Sequence, residues 1–350
     1  MVNLLLTLLA GGIVGYAFYK MKVPGGLMIG AVIGVAAINI LFGAAYMPSE
    51  TKTVTLIIAG AFIGGTVEKS DLKRLPYIAK PTIVMLVTFL VLNLVTGTII
   101  YWIGPLDLVT SLMSAVPGGI SDTPIIAAVM GADAPKVAVM QIVRQVLGIG
   151  IFPSMIMAYH SRKKTVESDD RREAFTGKRE KSKTKSWAAF AATMVVAIIF
   201  GVAGKYSGLP AGAFVFSIIS VLILKLTFDF AYLPRWAKQG AQVLSGAYIG
   251  SSIMMADILD MRYLLLPILV IVIGYAANCF ITGKIISKMH GITEKEAMLI
   301  TTPAGASDMA LISSDMGVQN TDIVVMQIIR AVVVMTFFPQ IISLICTFFK

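Results

Sequence analysis

Two short motifs hold the polar groups of this sequence that could do chemistry. Pro117, Gly118, Gly119, Ser121 and Asp122 place a helix breaker, flexible backbone, a hydroxyl and a carboxylate side by side. Gln141 and Arg144 follow at a spacing of three, which puts an amide and a guanidinium on one face of a helix. Both motifs recur 186 residues later, as Pro303, Gly305, Ser307 and Asp308 and as Gln327 and Arg330. A carboxylate can exchange a proton or hold a sodium ion, and a planar guanidinium suits bidentate contact with a carboxylate or phosphate. Backbone broken at Pro-Gly leaves amides and carbonyls, with partial charge at each half-helix end, free to coordinate ions or anionic groups.

These groups lie in strongly apolar surroundings. The 350 residues are 57% hydrophobic and 14% charged, against about 25% charged in soluble domains, and the mean hydropathy is +0.84. Charge is also uneven: of 48 charged residues, 15 fall between His160 and Ser186. The remainder must be a polytopic membrane protein. An ionised group at bilayer depth is costly unless paired or hydrated, so Asp122, Asp308, Arg144 and Arg330 are functional candidates by default. A second reading gives the arginines a structural task, neutralising Asp122 and Asp308 and tying the repeats together.

Several function classes fall away. Two cysteines, Cys279 and Cys346, and two histidines, His160 and His290, cannot build the usual Cys/His zinc, iron–sulfur or copper sites. No metal, no cofactor and no enzyme activity are therefore expected. Both histidines fall in loops on the side expected to be cytoplasmic, which disfavours a Ser/His/Asp triad. The net charge of +10 reflects basic loops of the kind that cytoplasmic faces carry, so no nucleic-acid partner is expected. Residues 1–19 lack a basic n-region and a small-residue cleavage site and read as a retained first span. The 20 methionines are scattered, as in adaptable packing rather than a metal pathway.

The shift of 186 holds without a gap. Between positions 117 and 153 it gives 15 identities in 37 pairs, and it extends to Gly15/Gly201, Pro24/Pro210, Gly26/Gly212, Gly60/Gly246, Gly64/Gly250 and Asp71/Asp257. Asp133/Gln319 and Lys136/Asp322 are not duplicated and read as loop residues. The chain divides into a first membrane repeat, 1–160, a charged linker, 161–186, and a second repeat, 187–350. Apolar stretches in the first repeat lie near 2–19, 27–43, 54–67, 81–103, 109–131 and 137–159. The fifth contains the Pro-Gly-Gly break, unsuited to a lipid-facing helix, and is expected to be discontinuous or re-entrant.

Five crossings per repeat would invert the second copy, whereas six would leave it parallel. Basic residues decide between them. With the linker inside and five crossings, Lys20, Lys22, Lys69, Lys73, Arg74 and Lys80 of the first copy fall inside and only Lys52 outside. In the second copy Lys225, Arg235, Lys238, Lys284, Lys288 and Lys295 fall inside, against Lys205 and Arg262. The expected fold is an all-α polytopic membrane protein of two inverted repeats, each of about five transmembrane helices plus a broken or re-entrant segment.

Two copies of a module that opens on a Pro-[Gly/Ala]-Gly turn, carries Pro-[Gly/Ala]-Gly-x-Ser-Asp and ends in Met-Gln-x-x-Arg then Phe-Pro resemble the membrane AbrB family. Its members contain the AbrB duplication domain twice, and the resemblance covers nearly the whole chain. More distantly it resembles the cation:proton antiporter and anion transporter superfamily, which implies inverted repeats with broken helices. Labels attached to the family include ammonia monooxygenase, which the ligand count argues against, and regulator of gene expression. Many related sequences carry Glu where this chain has the shorter Asp122 and Asp308.

The leading expectation is a secondary active transporter in the plasma membrane with the linker cytoplasmic. It would move a small, anionic organic solute coupled to protons or sodium. Asp122 and Asp308 would handle the ion; the broken segments with Gln141, Arg144, Gln327 and Arg330 would contact the solute. Expected partners are the lipid bilayer, the solute and the ion, with a homodimer as a candidate assembly. The alternative is a membrane sensor that regulates gene expression through a partner docked on the linker.

Overall fold

The structure, a computed structural model, describes all residues except 1, 22, 24, 163–185, 305–308, 310–312, 314–315, 317, 319–320 and 349–350, and the side chains of 150, 160–162, 260 and 321 also lie outside it. The described residues form helices and no strand. In the first repeat these are α1 (Val2–Lys20), α2 (Gly26–Phe42), α3 (Glu50–Gly64), α4 (Lys69–Ile103), α5 (Leu108–Ser114), α6 (Asp122–Val129) and α7 (Ala134–Arg162). The second holds α8 (Trp187–Lys205), α9 (Gly212–Phe228), α10 (Arg235–Ser251), α11 (Met255–Asp260), a 3-10 turn (Met261–Leu264), α12 (Leu265–His290), α13 (Glu294–Thr301) and α14 (Thr321–Phe348). Six of these helices are long and apolar enough to cross a membrane: α1, α4, α7, α8, α12 and α14. The chain is an all-α, polytopic membrane protein.

Local chemistry explains the punctuation. The turn before α2 needs a left-handed residue, supplied by Gly25 at φ 67°; its counterpart before α9 is Ala211, held at φ 51°. A capping box opens α4, with the Glu68 amide donating to the Asp71 carboxylate at 2.9 Å. The basic, proline-containing stretch from Lys69 to Lys80 reads as a loop in the sequence, yet α4 runs through it and past Pro76 and Pro81. In the second copy the same stretch is divided into α11, the 3-10 turn and α12. Lys225 and Lys238, also read as loop residues, lie within α9 and α10. His160 and His290 likewise lie in helices, α7 and α12, rather than in loops. Lys136 is in the first turn of α7, ion-paired to Asp133 at 2.8 Å.

Contacts across the repeats fix the direction of every helix. At one face the Tyr46 amide after α2 donates to Thr7 near the start of α1, at 3.0 Å, and Asn39 at the end of α2 donates to Ile253 O after α10. At the other face the symmetry-related Tyr232 amide after α9 donates to Thr193 near the start of α8, also at 3.0 Å. The end of α7, where the linker begins, lies on this second face too, because Tyr159 packs on Phe280 and under Lys284 of α12, whose last residue, His290, lies within electrostatic reach of Lys80 of α4. There Glu68 meets Lys225 at 3.2 Å, and Arg74 of α4 pairs with Asp322 of α14 at 2.5 Å. Thus α1 starts at the face opposite the linker and α8 starts at the linker face.

The segment between α4 and α7 does not cross. Its first helix, α5, starts at the same end as α7, because the Asp133 amide preceding α7 donates to Thr110 Oγ1 in the first turn of α5, at 2.9 Å. The path enters on α5, turns at 115–121 and returns on α6: a re-entrant hairpin from the face opposite the linker. In the second copy Lys295, in the first turn of α13, donates to Met316 O at 2.5 Å. The stretch from α13 to α14 therefore starts and ends at the linker face. The two copies therefore run in opposite directions, as inverted repeats do.

Helix pairing shows the same exchange, since α2 packs on α10 and α3 on α9. Glycines make this possible: a Cβ on Gly246 would lie 2.5 Å from Met28 O, and one on Gly60, its counterpart, 2.7 Å from Phe214 O. These helices, flanked by α1 and α8, form one body. The hairpins, α4, α7, α12 and α14 form a second, and the main apolar core joins the two, since Leu56 and Ala59 of α3 and Phe214 and Ile218 of α9 belong to it.

Candidate functional site

Each hairpin begins with a half-helix that ends inside the molecule, leaving its last carbonyls without helical partners. The side chains predicted for chemistry converge on them. Asn93 of α4 donates to Leu112 O at 2.8 Å. The Gln141 amide nitrogen lies 3.3, 3.2 and 3.1 Å from the carbonyls of Met113, Ser114 and Val116. Arg144 Nη2 donates to Gly118 O at 2.5 Å.

The second copy repeats the arrangement residue for residue. Cys279, the counterpart of Asn93, reaches Met298 O at 3.4 Å. The Gln327 amide nitrogen lies 3.3, 2.8 and 3.2 Å from the carbonyls of Leu299, Ile300 and Thr302. Arg330 donates to Thr302 O at 3.3 Å and Ala304 O at 2.7 Å. A cation at a helix C-terminus compensates the partial negative charge there. Gln141 and Gln327 are fully buried, and Arg144 and Arg330 are 2% and 4% exposed.

Among the described residues neither guanidinium is ion-paired; Arg144 binds Gly118 O rather than Asp122, and Arg330 binds Thr302 O and Ala304 O, while Asp308, the other carboxylate of the ion-pair reading, lies outside the described residues. Arg144 also interacts with the Tyr275 side chain, and Arg330 Nε is buried without a hydrogen bond among the described residues. The two groups lie within electrostatic reach of one another and of Tyr275. Tyr275 donates to Ala115 O at 2.9 Å and packs 6.2 Å from Phe89, its counterpart by the 186-residue shift, while the Arg330 guanidinium lies 5.7 Å from the Phe89 ring centre.

Asp122 opens α6, where a negative charge meets the positive end of the half-helix. Its carboxylate folds back toward Gly119, where a Cβ would lie 2.6 Å from Oδ2, and Lys238 of α10 is the cation within electrostatic reach. Beside it Gln242 donates to Ser121 Oγ at 3.2 Å and Ser245 to Ser121 O at 3.1 Å. Gly118 and Gly119 pack against Met335 of α14, and Gly148 of α7 against Pro303 O, so each hairpin tip leans on the last helix of the other repeat. Pro117, Gly118, Gly119, Ser121, Asp122, Gln141 and Arg144 are thus brought together with Pro303, Gln327 and Arg330. Gly305, Ser307 and Asp308 lie outside the described residues, as does most of the linker.

Sequence reasoning missed Tyr275, Phe89, Asn93, Lys238, Gln242 and Ser245. The last three positions of α10 share one face at spacings of four and three, a signal that was available. The Phe89/Tyr275 pair was available only by carrying the 186-residue shift through positions that are not identical.

The family model described as "Transition state regulatory protein AbrB" matches residues 1–160 and, in a second match, 45–346. "Uncharacterized protein YhjN" of Bacillus subtilis (strain 168) is 24% identical to this chain over 268 residues, which are 73% of this chain and 68% of the relative.

Proposed function

The chain belongs to the AbrB family, and from that premise we propose that it is a secondary active transporter of a small organic solute in the plasma membrane, driven by protons or sodium. One observation carries the reading: a re-entrant hairpin from one face and the half-helix α13 from the opposite face end close together inside the molecule, each beside a buried arginine. A carrier needs a midplane site that each face can reach in turn, and broken backbone at the joint between inverted repeats supplies one. Asp122 would bind or release the coupling ion, with Asp308 as its sequence counterpart. Its setting supports this, because Ser121 and Asp122 lie where the hairpin body meets α10 of the other body, and a shift between the bodies would change their surroundings. The linker is assigned to the cytoplasm from its basic residues.

The test is flux. Purified protein in proteoliposomes is given a panel of organic acids and amines under imposed proton or sodium gradients, alongside the variants Asp122→Asn and Asp308→Asn. The expected result is gradient-dependent flux in the parent and loss of at least tenfold in each folded variant. Undiminished flux in both variants would remove the carboxylates from the mechanism.

The family description, which names a regulatory protein, favours a second reading, a membrane sensor that acts through the linker. Scrambling residues 163–185 at constant composition separates the two: a sensor would lose its regulatory output, whereas a carrier would keep its flux.

A further inference from the structure

The two membrane faces are built alike but lined differently. Where α8 and α10 begin, at the linker face, a pocket of about 230 Å³ lies between them, lined by Ser186, Trp187, Phe190, Tyr232, Pro234 and Trp236. Its rings form an edge-to-face series, Trp187 to Phe190 at 5.8 Å and Phe190 to Trp236 at 5.5 Å. Such a series inside a core would be packing, but Trp187 is 75% exposed and Trp236 56% exposed. Arg235, between Pro234 and Trp236, is exposed as well.

The opposite face shows which of these residues the fold needs. The 186-residue shift maps Tyr232 and Pro234 onto Tyr46 and Pro48. The amide of each tyrosine donates to a threonine in the first helix of its copy, so the turn itself is common to both. Phe190, Arg235 and Trp236, however, map onto Leu4, Ser49 and Glu50. The aromatic wall and the cation therefore belong to the linker face alone, and at the other face a carboxylate stands where Trp236 does. The wider charge agrees. Both α8 and α10 start at the pocket, with the partial positive charge of helix N-termini. The sequence that runs into Ser186, residues 178–185, carries five Lys/Arg against one Glu.

We infer that this pocket holds the headgroup of one anionic phospholipid from the leaflet on the linker side, with Arg235 on its phosphate and Trp187 and Trp236 against its glycerol backbone. A planar guanidinium matches phosphate oxygens in pairs, and indole rings settle at headgroup depth with the apolar ring inward and the N–H outward. Basic residues at the end of a crossing helix attract anionic lipid to that end. The acyl chains have a path, because Val195 and Ile198, eight and eleven residues after Trp187 on the same face of α8, are exposed apolar side chains. A soluble phosphate compound would leave both the aromatic wall and this path unused. The site does not depend on transport.

The experiment is native mass spectrometry of the detergent-purified full chain titrated with phosphatidylglycerol and phosphatidylcholine in equal amounts. Arg235→Gln, Trp236→Leu and, as a charge control at the opposite face, Lys205→Gln are titrated alongside, with circular dichroism and gel filtration as checks of fold. One phosphatidylglycerol should be retained in preference to phosphatidylcholine, with affinity lowered about fivefold in folded Arg235→Gln. Affinity should also fall in Trp236→Leu and stay at the parent's value in Lys205→Gln. Glycerol 3-phosphate, which offers the same phosphate without chains, should not displace the lipid. Equal retention of the two lipids, retention indifferent to both pocket substitutions, or displacement by glycerol 3-phosphate would each overturn the assignment. So would retention that begins only when the Lys and Arg residues of 178–185 are replaced by Gln, because the linker itself would then be the occupant.

Discussion

At the residue scale, the duplicated glutamines do work that their position in an apolar helix hides. Gln141 and Gln327 each turn one amide nitrogen toward three carbonyls at the end of a half-helix that has no further turn to satisfy them. Leucine at either position keeps the volume and removes the donor. Buried acceptors left without a partner cost about 1–3 kcal/mol, so Gln141→Leu and Gln327→Leu are each expected to lower the melting temperature in detergent by several degrees. Gln141→Glu, which also removes the donor and adds charge beside carbonyl oxygens, should be worse than leucine. Equal stability of all three variants with the parent would show that the hairpin ends are satisfied by other means. These residues were legible as candidates because they are polar, duplicated and at helical spacing. Their target was not, because a sequence does not show that residues 113–118 double back against residues 141–144.

At the element scale, the hairpins and the glycine-mediated crossings divide the labour. Pro117 to Gly119 marks the break in the sequence, and the structure turns there. The continuity of α4 was not legible, since charge and two prolines normally end a helix. Here the Asp71 capping box starts it early, and Arg74 is drawn into the fold by Asp322 rather than left in a loop. The glycines of α3 and α10 read as packing residues, and the structure gives each a partner. Gly60 and Gly246 meet the carbonyls of Phe214 and Met28, and Gly64 and Gly250 those of Ile218 and Val32. Each crossing admits no side chain. Overpacking of this kind costs about 1–3 kcal/mol, so Gly246→Ala and Gly60→Ala should destabilise the protein comparably, as counterparts in the two copies. Gly12→Ala, where an added Cβ meets nothing within 4 Å, should melt with the parent. A parent-like melt for Gly246→Ala and Gly60→Ala would mean that α2/α10 and α3/α9 separate without penalty.

At the scale of the whole molecule, the joint between the hairpins depends on inversion. The charge pattern points to it even though Lys69, Lys225 and Lys238 lie in helices rather than loops, because these residues stay near the linker face. The two copies are not identical in their details. The first hairpin meets polar side chains of α10, Gln242 and Ser245, where α3 offers Leu56 and Ala59 at the corresponding positions. Such asymmetry would let one hairpin handle an ion while both share the solute. All of this requires that the hairpins enter from opposite faces, and Asp107 and Thr293 report it best. Each is the exposed N-cap of its hairpin's first helix, and they are counterparts by the 186-residue shift. The decisive measurement places a single cysteine at one or the other, Asp107→Cys or Thr293→Cys, in a chain with Cys279→Ser and Cys346→Ser, and treats sealed vesicles of known orientation with a membrane-impermeant maleimide. Inverted repeats require the two positions to be labelled from opposite sides, Thr293→Cys from the side that carries the linker. Labelling of both from the same side would contradict the fold and, with it, the site built between the hairpins.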